Sequence, residues 1–311
     1  MIKIKDILYV RYATPDLQAM KQFLQDFGMS VAHENDSALY MAGAGDSPFV
    51  HVSEKAEQAA TLGFALAVES RDDLVEIAAL TDTPVLLNEE PCGGEVVRIL
   101  DPFGFRIDFL WGYEKRAEDA VRLPYKMNPS SERSRYGNPI RVVRNAPSTV
   151  MRCGHVALLV SDFAKAMQFY TETLGLKVSD TYFDGTETNL IGAFLHCDHG
   201  DEFTDHHTIA LVASPQGESR FDHSAFEVID LDDLMLGNDH LESCGYNHAW
   251  GVGRHVQGSQ LFDYWRDPCG HKIEHWTDGD LVNDQWQVTT AQITPDELAQ
   301  WAPEFSPEFF K

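Results

Sequence analysis

The chain repeats itself, and a duplicated unit narrows the possible architectures before any single residue is interpreted. Near the start it reads Tyr9-Val-Arg-Tyr-Ala-Thr-Pro-Asp16 followed by LQAMKQFLQDFG; near the middle it reads His155-Val-Ala-Leu-Leu-Val-Ser-Asp162-Phe followed by AKAMQFYTETLG. Each stretch predicts a strand, a helix and a stop. Asp16 and Asp162 are placed to accept from the first free N–H groups of the helix, and Gly28 and Gly175 to take the left-handed conformation at its end. The match continues with Gly63–Leu74 against His223–Leu234, and with DPFGFRIDF (Asp101–Phe109) against DPCGHKIEH (Asp267–His275). Alternating runs such as VVRILD, FRIDFLW, HTIALVA and LFDYWRD predict strands bounded by Gly, Pro and Asp turns.

The expected class is therefore α+β, with four tandem βαβββ units forming two modules of mixed, curved, barrel-like sheets. Residues 1–112 form the N-terminal module, without a metal site, and residues 149–278 the C-terminal, catalytic one. Between them, 113–148 loses the periodicity, carries Arg, Lys, Pro and Ser, and is expected to be a solvated linker. The tail, 279–311, holds a capped amphipathic helix and aromatics, expected to pack over one module or a neighbouring subunit. The glycine-rich pieces AGAGD and CGGE lack the strand-to-helix context of a phosphate loop and are expected to be turns.

Composition limits the partners. A net charge of -25 opposes any nucleic-acid backbone, whose affinity comes from clustered Lys and Arg. No signal peptide is evident and no run approaches the roughly 18 apolar residues of a membrane span, so a cytoplasmic protein without membrane contact is expected. The five cysteines, Cys92, Cys153, Cys197, Cys244 and Cys269, are scattered and never form a Cys-x-x-Cys pair, so they are expected to be reduced thiols.

Histidine is unevenly spread: of 13, only His33 and His51 precede residue 150. Aligning the halves sets His155 against Tyr9, His223 against Gly63 and Glu274 against Asp108, so three candidate ligands fall at equivalent strand positions of successive units. Two imidazoles and one carboxylate are the donor set of a facial triad, which leaves adjacent positions open on an ion such as Fe(II). Open positions suit oxygen chemistry; a structural zinc site is closed and often sulfur-rich.

The segment from Gly253 to Glu274, GRHVQGSQLFDYWRDPCGHKIE, carries a further signature: Gly253-Arg-His255, Tyr264, Asp267-Pro-Cys-Gly270 and Glu274. In this, and over roughly residues 5 to 280, the chain resembles the type I extradiol dioxygenases of the vicinal oxygen chelate superfamily. It departs from the family at Asp263, where an apolar residue is usual, and at Val256-Gln257-Gly258 from the Asn-Asp of the biphenyl-type enzymes, which bears on the substrate. The resemblance implies Fe(II), or Mn(II) on the same ligands, held by His155, His223 and Glu274. It implies His207, the second of the His206-His207 pair, as acid/base, with His206 structural or exposed. Tyr264 would hydrogen-bond one substrate oxygen and His255 another. The implied reaction inserts both atoms of O2 into a catechol-type diol and opens the ring beside the hydroxyls; a homo-oligomer is the implied assembly. Substituted catechols, fused bicyclic diols and diols bearing a carboxylate are the candidate substrates. A glyoxalase-like lyase or isomerase, or a non-catalytic small-molecule binding protein of the same superfamily, are the alternatives.

Overall fold

Each half folds as two units of one strand, one helix and three strands. The computed structural model describes residues 2–137, 146–305 and 309; parts of the expected linker (138–145) and tail (306–308, 310–311) lie outside the described residues. In the first half, strands Ile4–Thr14 and Ala60–Val68 pair antiparallel at the centre of an eight-stranded sheet, and each unit adds its remaining strands outward. The second half repeats that order around Val150–Val160 and Arg220–Val228 in a sheet of ten strands. Both central pairs carry register shifts, and bulges of this kind bend a sheet toward a barrel.

The capping expectations hold. Asp16 accepts from Gln18 and Ala19 N–H at 3.0 Å each, and Asp162 from Lys165 N–H at 3.0 Å. One helix differs from expectation: Phe163–Gln168 is α-helical, but Phe169–Thr173 widens into a π-helical turn. Within that turn Tyr170 is buried and donates its hydroxyl to Asp101 of the first half at 2.8 Å.

The halves share one core. A single buried cluster runs from Phe27, Phe64 and Phe109 to Val156, Phe226 and Trp265. His275 stacks on Phe27 at 3.6 Å and donates Nε2–H to its carbonyl at 2.7 Å. The AGAGD turn docks on the first strand of the second half, with Ala44 N–H on the Val150 carbonyl at 2.7 Å and Gly45 N–H on that of Met151 at 3.0 Å. Gly28, at φ +109°, packs so closely that a Cβ would lie 2.1 Å from the Ser148 carbonyl oxygen.

The described part of the linker is irregular yet anchored, by a two-pronged bond from Arg122 to Asp230 at 2.6 and 2.7 Å. The tail packs on the second half: Thr289–Gln292 pairs with Lys177–Phe183, and Ala299–Trp301 with Arg254 and His255. All five cysteines are free thiols. Among the described residues, no helix is long and apolar enough to cross a membrane.

Candidate metal centre

Strand register brings the three ligand candidates together. In the second sheet Tyr264 lies opposite Glu274, Glu274 beside Ala225, and Ala225 opposite His155, so one row crosses four strands. His223 lies two residues from Ala225 on the same strand and therefore on the same face. Small Ala225 in mid-row leaves the space between His155 and Glu274 open.

Within that space His155 Nε2 is 3.2 Å and His223 Nε2 is 3.3 Å from Glu274 Oε2, and the three donors lie within 4.8 Å of one another. Neither contact has the direction of a hydrogen bond. Both carboxylate oxygens of Glu274 lack a hydrogen-bond partner although the residue is 0% exposed. A buried carboxylate left in that state is destabilising by several kcal/mol, about as much as one desolvated ion costs. A divalent cation at the shared focus of the three donors removes that penalty, so these residues fit the ion that the donor set implies.

Two other groupings contrast with this one. In Asp26–His240–Cys244, Asp26 already accepts from His240 at 3.2 Å and Tyr246 at 2.8 Å; in Asp267–Cys269–His271, Asp267 accepts from His271 Nδ1 at 3.0 Å and from two backbone N–H groups.

The candidate ligands have supports. His223 Nδ1 bonds Asp222 Oδ2 at 2.8 Å, and the buried Lys272 donates to the same oxygen at 2.8 Å. Burial alone raises Asp222, but Lys272 and His223 hold it well below the usual carboxylate range. Burial pulls His223 down, and the bonded Asp222 together with the facing Glu274 carboxylate outweighs that and pushes it up; His155, which faces Glu274 alone, is lowered by burial.

The other three residues surround the centre. His207 is buried, its ring 4.2 Å from that of His155. Burial, then the imidazoles of His155, His206, His255 and His223, hold it well below the ordinary histidine range, so it stands neutral with one ring nitrogen free to accept. Tyr264 packs its ring against His223 at 5.1 Å, with its hydroxyl 3.2 Å from His255 Nε2. His255 Nδ1 lies 2.9 Å from the Leu298 carbonyl, which can only accept. The neutral ring therefore donates at Nδ1 and receives the Tyr264 hydroxyl at Nε2. Trp250, Phe262, Phe305 and Phe309 continue this wall, and Phe309 of the tail meets Tyr264 at 5.3 Å.

All six residues singled out in the sequence thus occupy one locale. Asp222, Lys272, His206 and Asp180 were not anticipated there. His206, expected to be structural or exposed, is completely buried behind His207.

The equivalent place in the first half holds no such donor set among the described residues. Its row is Arg98, Asp108, Ala65, Tyr9, and the cross-strand pair Ala157–His223 is replaced by Arg11–Gly63. The Arg11 guanidinium bonds Glu54 and Glu90 at 2.6 Å each and lies 3.9 Å from Asp108.

Comparison with known proteins bears on this arrangement. A family model described as the glyoxalase/bleomycin resistance protein/dioxygenase superfamily matches residues 152–275. Metapyrocatechase 2 of Cupriavidus necator is 30% identical over 310 residues, covering 95% of this chain and 88% of that protein. A biphenyl-2,3-diol 1,2-dioxygenase of Paraburkholderia xenovorans (strain LB400) is 25% identical over 311 residues, with 96% and 95% covered. An iron-dependent extradiol dioxygenase of Rhodococcus jostii (strain RHA1) is 26% identical over 163 residues, 49% of this chain and 51% of that one. Among solved structures, the Mn(II)-bound glyoxalase of Novosphingobium aromaticivorans superposes with a TM-score of 0.82 at 23% identity, covering 99% and 94%.

Proposed function

The chain belongs to the extradiol dioxygenases of the glyoxalase/bleomycin resistance protein/dioxygenase superfamily, and we propose that His155, His223 and Glu274 are the ligands of its catalytic Fe(II). It cleaves a catechol-type diol with O2 beside the hydroxyls. The observation that carries the metal assignment is the buried Glu274 carboxylate, shared at 3.2 and 3.3 Å by two imidazole nitrogens and hydrogen-bonded by neither. Iron is favoured over manganese by the relative named as iron-dependent.

Bound iron supplies the electron transfer between diol and O2. The chain's own residues do the rest. His207, neutral by burial, takes a proton from a diol hydroxyl and later returns one. Tyr264 and His255, already bonded to each other, orient the substrate oxygens, with the Leu298 carbonyl fixing which nitrogen of His255 is offered. The aromatic wall of Trp250, Phe262 and Phe309 excludes water from one side of the ring.

The test is anaerobic loading with Fe(II), then oxygen uptake and visible absorbance on a panel of catechols, beside His155→Ala and His207→Ala. The expected result is a coloured ring-opened product with matching O2 consumption. His155→Ala should lose the iron, and His207→Ala should keep it while kcat falls at least about 100-fold. Stoichiometric iron with no O2 uptake on any diol would point to a lyase or isomerase instead.

A further inference from the structure

A base needs a lone pair on the right nitrogen, and an imidazole alone does not choose between its two neutral tautomers. Its hydrogen-bond partners choose. Behind His207 runs a buried chain: His206 Nδ1 is 3.1 Å from His207 Nδ1, and His206 Nε2 is 2.7 Å from Asp180 Oδ2. Asp180 Oδ1 in turn accepts from the backbone N–H and the hydroxyl of Thr289, at 2.7 Å each. His206 is 0% and Asp180 2% exposed.

A carboxylate only accepts, so with one proton on its ring His206 carries it on Nε2 and leaves the lone pair on Nδ1. The nitrogen facing that lone pair must donate, which puts the proton of His207 on Nδ1. Its Nε2, the ring nitrogen that does not face His206, is left to act as base. We propose that Asp180 and His206 are positioning residues that lock His207 in its Nδ1–H tautomer, a role that rests on the dioxygenase reading of the site.

The surroundings hold the relay ring still. The His206 backbone N–H bonds the Asp280 carbonyl at 3.0 Å, and Ser179 donates its hydroxyl to the His206 carbonyl. At Gly258 a Cβ would lie 2.8 Å from His206 Nδ1, so a glycine is what admits the ring here. Gly258, within the stretch where the chain departs from the biphenyl-type enzymes, thereby acquires a structural purpose.

The same logic predicts what Asp180→Asn does. The Thr289 N–H still requires an acceptor and claims the new amide oxygen, which turns the NH2 toward His206. His206 Nε2 must then accept, its proton moves to Nδ1, and His207 is driven to Nε2–H. One substitution two residues back along the chain of bonds reverses both rings.

The experiment uses the full chain with 15N-labelled histidine and the metal site loaded with diamagnetic Zn(II). Ring nitrogens are read by long-range proton–nitrogen correlation and assigned through single-histidine substitutions. The expected wild-type signals are protonated Nδ1 on His207 and protonated Nε2 on His206. In Asp180→Asn both should exchange, and the Fe(II) form should lose at least about 100-fold in kcat with iron content and KM unchanged. A wild-type His207 protonated at Nε2, or rings that keep their tautomers in Asp180→Asn, would overturn the proposal, as would a reversed His207 with undiminished kcat. If Asp180→Asn does not fold, the wild-type spectrum alone decides. Inactivity of wild-type Fe(II) protein on every diol would sink the dioxygenase reading, whereas the ring-nitrogen signals judge the lock independently.

Discussion

At the scale of single residues, His223 is oriented by the chain and His155 is not. Asp222 Oδ2 takes His223 Nδ1–H and the Lys272 ammonium together, whereas His155 Nδ1 has no partner. A carboxylate behind a ligating imidazole fixes its direction and raises its basicity. Asp222→Asn should therefore weaken iron binding by about 10- to 100-fold, measured by competition with a chelator. Unchanged affinity would mean that the Asp222 carboxylate is not what positions the ring. The grouping of the candidate ligands was legible, because the repeat exposes His155, His223 and Glu274 as departures from Tyr9, Gly63 and Asp108. Asp222 was not, since strict alternation sends the neighbour of His223 to the opposite face. A register shift between Phe221 and His223 returns it to the site, and bulges leave no mark in hydrophobic pattern. His206 escaped for a related reason: it lies between strands Thr204–Asp205 and Ile209–Ala213, where alternation says nothing about direction.

At the scale of elements, the four βαβββ units and their caps were legible, because each is a local event of Asp, apolar spacing and glycine. The short tail strands were not. Ala299–Trp301 is a strand only by virtue of its partners Arg254 and His255, and a three-residue edge has no period of its own. Junctions between elements yield a sharper expectation. Gly28 ends the first helix at φ +109° and lets the Ser148 carbonyl approach from the start of the second half. Gly28→Ala should destabilise the protein by more than about 1 kcal/mol, read from the urea midpoint, because both the backbone region and the space exclude a Cβ. Metal affinity should hold, since the site lies on other elements. A midpoint equal to wild type would show that the junction yields without loss.

At the scale of the molecule, one core spans both halves, and several imidazoles are sealed inside the folded protein. Burial pushes His51 down to about 3 and His196 to about 4, from an ordinary value of 6.5. For such groups the unfolded chain takes up its proton first on acidification. Their contribution to stability is thus complete above pH 6.5 and declines as pH falls through 6.5 toward their folded values. Each should remove about 1.4 kcal/mol per pH unit within that window. Urea midpoints measured at about pH 7.5 and about pH 5 should fall with acidification; a midpoint that held constant would mean that these rings protonate without unfolding. This coupling of the halves was beyond the sequence, because it depends on which faces meet and not on what each unit contains.

The Arg11–Gly63 pair of the first half and the Ala157–His223 pair of the second place one bulky basic side chain at the same cross-strand step, drawn from opposite strands. In the first, Arg11, Arg98 and Arg106 face Glu54, Glu90 and Asp108, so its interior is electrically complete once the chain is made. On the proposed ligation, the second is completed only by a cation taken from the cell. On that same ligation, synthesis without the metal ion yields a chain with one finished half and one waiting half.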